Sequence, residues 1–136
     1  MTRFNKEISI SFTIRGYEDI SHDDISDSLG LVPYKVYVKG EPMSPRSPRE
    51  AKNNGWVYRV NYGKLRSFEG QLNGILDVLE PRIAKLKRYA QKYECEFSCA
   101  IFFSDEKPAD TSIQLNERYN NFIKEVDAEF DFDIYY

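Results

Sequence analysis

Two aspartates near the C-terminus, Asp131 and Asp133, are the first residues whose type and spacing could do chemistry. They lie in the segment Ala128-Glu129-Phe130-Asp131-Phe132-Asp133-Ile134-Tyr135-Tyr136, where apolar and acidic residues alternate. A period of two marks a strand with one dry and one wet face. On such a strand both carboxylates share a face, with Cα atoms about 6–7 Å apart. Paired carboxylates could do acid-base work or hold a divalent ion. No His, Asn or third ligand stands near them in the sequence. The simpler reading is a solubilising edge strand whose charges block edge-to-edge aggregation.

The other reactive residue types are sparse. His22 is the only histidine and sits among Asp23 and Asp24 in the first turn of an expected helix, as a solvated residue. One histidine excludes most zinc sites built on histidine and weakens any Ser-His or Cys-His mechanism. Cys95 and Cys99 fall on one face of an expected strand, about 13 Å apart, too far for a disulfide. Both read as reduced core residues, consistent with the cytoplasm. Gly70 and Gly74 lie inside a helical stretch and lack the Lys-Ser or Lys-Thr of a phosphate loop. No catalytic residue, metal site or cofactor is assigned, and the expectation is a protein that is not an enzyme.

Residues suited to binding are more plentiful. The 40–55 segment carries Ser44-Pro45-Arg46-Ser47-Pro48-Arg49 and then Lys52. Arg46, Arg49 and Lys52, with Lys35 and Lys39, could grip phosphates or an acidic protein. The acidic remainder of the chain opposes a long nucleic-acid backbone. Most nearby aromatics alternate inward, which leaves Tyr37 facing out beside two lysines. Trp56 reads first as a core anchor and second as a pocket wall beneath the loop.

These side chains need strands and helices to position them. A strand at 8–14 points Ile8, Ile10, Phe12 and Ile14 one way and Ser9, Ser11 and Thr13 the other. Ser21 and Asp24 form a capping box, Ile20 and Ile25 a staple, and Gly30 a left-handed stop for the first helix. A strand at 34–39 buries Tyr34, Val36 and Val38 and shows Lys35, Tyr37 and Lys39. The 40–55 stretch, with three prolines, reads as a long irregular loop. A strand at 56–62 buries Trp56, Tyr58, Val60 and Tyr62 and shows Arg59.

A helical stretch at 67–93 is broken at Pro81. A strand at 94–103 buries Cys95, Phe97, Cys99, Ile101 and Phe103 and shows Glu94, Glu96 and Ser98. A short strand is expected at 112–115, then a helix at 117–126 capped by Asn116, then the acidic strand. This order predicts an α+β fold: a two-layer sandwich with a mainly antiparallel sheet and helices on one face. Its core is ferredoxin-like, βαββαβ, with a C-terminal (β)αβ extension.

Composition agrees with one domain. The 136 residues are 41% hydrophobic and 15% aromatic, enough for a core without disulfides or metal. Net charge is −3, unevenly spread. Residues 35–66 hold eight Lys or Arg against two Glu, and the rest hold eleven basic and twenty acidic groups. No apolar run nears the roughly 20 residues that span a bilayer. The stretch 1–7 lacks the apolar core of a signal peptide.

The exposed sheet face is then a mixed-charge surface. It is either a solvated face with cross-strand pairs of about 0.2–1 kcal/mol each, or a charged docking surface. The acidic stripe Glu129, Asp131 and Asp133 either neighbours the basic stripe Lys35, Lys39 and Arg59 or stands apart from it.

The chain resembles a bacterial family of small proteins, the domain of unknown function 4279 (DUF4279). The resemblance rests on Ile8-Ser9-Ile10-Ser11-Phe12-Thr13-Ile14-Arg15-Gly16, Leu29-Gly30-Leu31-Val32-Pro33 and Lys39-Gly40-Glu41. Trp56 and the closing Phe132-Asp133-Ile134-Tyr135 continue it. It implies a whole domain and carries no catalytic motif. The expected function is a cytoplasmic, non-enzymatic protein-interaction domain, with a bacterial immunity or inhibitor protein as one concrete form. The alternatives are a small-molecule-sensing ferredoxin-like domain, with a ligand between Trp56, Tyr37 and the loop arginines, and anion or nucleic-acid binding through Arg46, Arg49 and Lys52.

Overall fold

Alternating sequence builds the middle of the sheet. The computed structural model describes residues 6–60, 67–103 and 113–135. Strand β1 (Lys6–Arg15) buries Ile8, Ile10, Phe12 and Ile14 on one face. Strand β6 (Glu94–Phe103) does the same with Cys95, Phe97, Cys99 and Ile101. The two pair antiparallel from Lys6↔Phe103 to Arg15↔Glu94. Strand β5 (Gly55–Arg59) flanks β1 antiparallel, and β2 (Lys35–Tyr37) flanks β5. The order β2-β5-β1-β6 is the antiparallel split βαβ arrangement expected from the element order. Strand β7 (Glu129–Tyr135) extends it as an edge, parallel to β6. A parallel neighbour needs a crossover, and that connection carries a helix.

Helices cover one face only. Helix α1 (His22–Leu29) begins at the Ser21–Asp24 capping box and stops at Gly30, whose φ of +67° suits glycine. Helix α2 (Phe68–Leu79), a 3-10 turn (Glu80–Arg82) and α3 (Ile83–Lys92) realise the break at Pro81. Helix α4 (Glu117–Glu125) is capped by Asn116. Together α2, α3 and α4 bury Leu72, Ile75, Leu76, Leu86 and Phe122 against the dry faces of β1 and β6. Phe97 sits at the centre, edge-on to Phe12, Tyr119 and Phe122.

Several expectations need correction. The 40–55 segment is not irregular: β3 (Pro42–Ser44) and β4 (Ser47–Glu50) pair as a hairpin. Pro45 and Arg46 make its two-residue turn, a place proline favours. Both strands of a two-stranded ribbon are edge strands, the place in a sheet where proline is tolerated. Strand β2 holds three residues, and Tyr34, Val36 and Val38 are exposed, not buried. Helix α1 reaches the sheet at β5, and β2 lies one strand further out.

Strand β5 ends at Arg59, and Tyr62 lies outside the described residues. Residues 113–115 form no strand, and Ser112 lies outside the described residues. On β7, Phe130 is half-buried while Phe132 and Ile134 are exposed, because an edge strand is covered from one side only. Tyr136 lies outside the described residues. Among the described residues no helix is long and apolar enough to cross a membrane.

Candidate functional site

The strand registers arrange the uncovered face in rows. One row runs Tyr37, Gly55, Arg15, Glu94; the next runs Lys35, Val57, Thr13, Glu96, Glu129. A third places Arg59, Ser11, Ser98 and Asp131 in line, and a fourth Ser9, Ala100 and Asp133. Small side chains, Ser9, Ser11, Thr13, Val57, Ser98 and Ala100, pave much of the middle of the face, with Arg15 and Glu96 among them. Further charged groups stand at both edges. Small floor and tall rims make a trough of about 1040 Å³.

One rim is built by the hairpin and its return. Asn54 ties this segment to the end of β1. Its side-chain amide donates to the Tyr17 carbonyl at 2.8 Å, and its side-chain oxygen accepts from the Lys39 backbone at 2.9 Å. Gly16 donates to the Asn54 carbonyl at 2.9 Å. Ala51 and Gly40 close the base of the hairpin by backbone bonds, and Ala51 is buried there. Tyr37 lies across Gly55: a Cβ at Gly55 would come within 3.1 Å of the Tyr37 ring. The Lys35 ammonium stands 4.9 Å over that ring. Lys35, Tyr37, Arg49, Glu50 and Lys52 line this side.

The opposite rim is β7. Asp131 and Asp133 line the trough, whereas Glu129 does not. Among the described residues neither aspartate, nor Lys35 or Lys52, forms an ion pair. Between β2 and β7 lie three strands, so the rims stand four strand spacings, about 19 Å, apart along the sheet. The acidic and basic stripes are thus separated.

The inner strands β1 and β6 carry an ion-pair cluster, built on a residue that the alternating pattern does not single out. Arg15 donates through its terminal nitrogen to Glu96 at 2.7 Å and through Nε to Glu94 at 3.1 Å. Ser98 donates to the other Glu96 oxygen at 3.0 Å. Arg15 is the last residue of β1, before Gly16, where the alternating pattern already ends. Its wet-face register was the available signal.

The other expected site residues lie elsewhere. Arg46 sits in the hairpin turn, outside the trough lining. Lys39 pairs with Glu18 at 3.3 Å. The Arg59 guanidinium stacks on the Tyr34 ring at 3.7 Å. Trp56 is fully buried on the helix side, donates its indole N–H to the Ser26 hydroxyl at 3.0 Å and stacks on Tyr58. It is a core residue and walls no part of the trough. His22 joins the Tyr17 hydroxyl. Cys95 and Cys99 are free and buried, and burial pushes both thiols up to about 12. Among the described residues no group of three His, Cys, Asp or Glu could hold a metal ion.

The arrangement can therefore orient a polar, elongated molecule between unlike charges. No curated protein and no solved structure matches the chain. A family model, Domain of unknown function (DUF4279), matches residues 6–136, and with nearly the whole chain covered the protein belongs to that family.

Proposed function

We propose that this chain is a non-enzymatic protein-interaction domain whose docking surface is the trough on the open sheet face. An immunity or inhibitor protein of the cytoplasm is one form such a domain takes. The observation that carries the reading is the separation of unlike charges across a floor of small residues. Lys35, Lys52, Asp131 and Asp133, which form no ion pair among the described residues, steer and register a partner, and a polar floor leaves backbone and side chains of that partner hydrated or bonded. The volume lies just above the range for small-molecule sites, about 300–1,000 Å³, and charged side chains stand at both of its ends.

The test is selection from a random-peptide display library against the immobilised protein. Selected peptides are expected to lose binding when Ser98, at the centre of the floor, is replaced by Arg (Ser98→Arg). Peptides that bind this variant as well as the parent would place the docking surface elsewhere.

A second reading, a site for small anions, draws on Lys35, Arg49 and Lys52 lining one side together. Phosphate or a dicarboxylate would then raise the melting temperature of the parent and not of Lys35→Glu.

A further inference from the structure

We infer that the trough takes an extended peptide with acidic side chains at one end and basic side chains at the other, laid across the strands. This rests on the docking-face reading and specifies its ligand.

The two ends of the trough differ in sign. Lys35 and Lys52 stand on the hairpin side, with Arg49 beside them and Glu50 as the one opposing carboxylate lining that side. Asp131 and Asp133 stand alone on the β7 side. The potential therefore runs from positive to negative along the trough, and between the two ends Arg15 is held by Glu96 and Glu94. A ligand of uniform charge would gain at one rim and lose at the other. One with opposed ends gains at both.

Length points the same way. About six residues of extended chain, at roughly 3.3 Å each, cover the about 19 Å between rims. The half-buried floor residues Ser11 and Ser98 can exchange hydrogen bonds with a peptide backbone. Their small size lets the backbone approach. A nucleic-acid strand would meet Asp131 and Asp133 with its own charge.

The experiment measures fluorescence anisotropy at low and at physiological salt with blocked, labelled peptides. The probe has two glutamates, a short serine–glycine spacer and two lysines. Its control has the same composition with the charges alternated. The probe is expected to bind about tenfold or more tighter than the control and to weaken with salt. In the Asp131→Lys/Asp133→Lys variant this preference is expected to vanish. Tight binding by this variant is expected instead for a probe whose lysines are replaced by glutamate. Both positions are exposed, so the fold is not at stake.

Equal affinity of probe and control overturns the inference. So does failure of both peptides to bind, or a single-stranded oligonucleotide that binds tighter than the probe. If library-selected peptides still require the Ser98 floor in those cases, the docking-face reading survives without this ligand. If no peptide requires it, both fall.

Discussion

Arg15 and Glu96, on the neighbouring inner strands β1 and β6, are joined by a 2.7 Å ion pair on the open sheet face. The inner strands β1 and β6 thus pair their own charged groups with each other. The outer groups, Lys35 on β2 and Asp131 and Asp133 on β7, keep their separation.

That pair has a measurable cost of removal. Glu96 has 17% of its side chain exposed and also accepts from Ser98, so losing Arg15 leaves a half-buried carboxylate with one weak donor. Arg15→Met is expected to lower stability by about 1–2 kcal/mol in urea titrations, because a charged group loses its strongest partner. The double variant Arg15→Met/Glu96→Met should cost less than the single one. A single variant as stable as the parent would mean the pair is only a surface contact.

Trp56, the only tryptophan, offers an optical check. It is fully buried on the face away from the trough. Its emission is expected to be blue-shifted in the native state and unchanged when a peptide fills the trough. Trp56→Ala should cost about 3–5 kcal/mol, as for other large core truncations. A ligand-induced emission shift in the parent protein would return Trp56 to the binding site.

Much of this fold was legible in its residues. Period-two runs located β1, β6 and β7, and Ser21, Asp24 and Gly30 bounded α1, because those devices act within a few residues. The hairpin was not legible. Pro42, Pro45 and Pro48 oppose a strand inside a sheet, yet a lone ribbon with Pro45 in its turn tolerates all three. The exposure of Tyr34, Val36 and Val38 was not legible either, since alternation reports a strand and not whether a helix reaches it.

In the site, the floor residues Ser11, Thr13 and Ser98 and the rim residues Lys35, Tyr37, Asp131 and Asp133 were marked by face, and Arg49 and Lys52 by their place in the 40–55 segment. Their assembly into one trough depends on the strand order. Arg15 escaped because it closes its strand, and Asn54 because its work is to fasten the hairpin to β1.

The buried thiols set an alkaline limit. Cys95 and Cys99 are held up to about 12 by burial, while an unfolded thiol titrates near about 8.5. A folded pKa above the unfolded one stabilises fully below the unfolded value. That stabilisation is lost as pH rises towards the folded value. Stability should therefore fall from pH 8.5 upwards. Tyr119, also held up to about 12 by burial, adds its share only above the ordinary tyrosine value of about 10. Tyr17, raised by burial, and Tyr93, raised by its hydrogen bond to Asp19, join it there. Urea midpoints between about pH 8 and about pH 9 therefore report the cysteines. Cys95→Ala/Cys99→Ala should be less stable at pH 7 yet flatter across that interval. An equal slope in both proteins would remove the thiols as the cause.

The central claim is that the open sheet face docks a partner, and backbone amide shifts test it most directly. On titration with a library-selected peptide, the largest changes are expected at Ser11, Thr13, Ser98 and Asp131, with little change in α2 and α3. Changes concentrated on the helix layer, with these four residues unmoved, would contradict it.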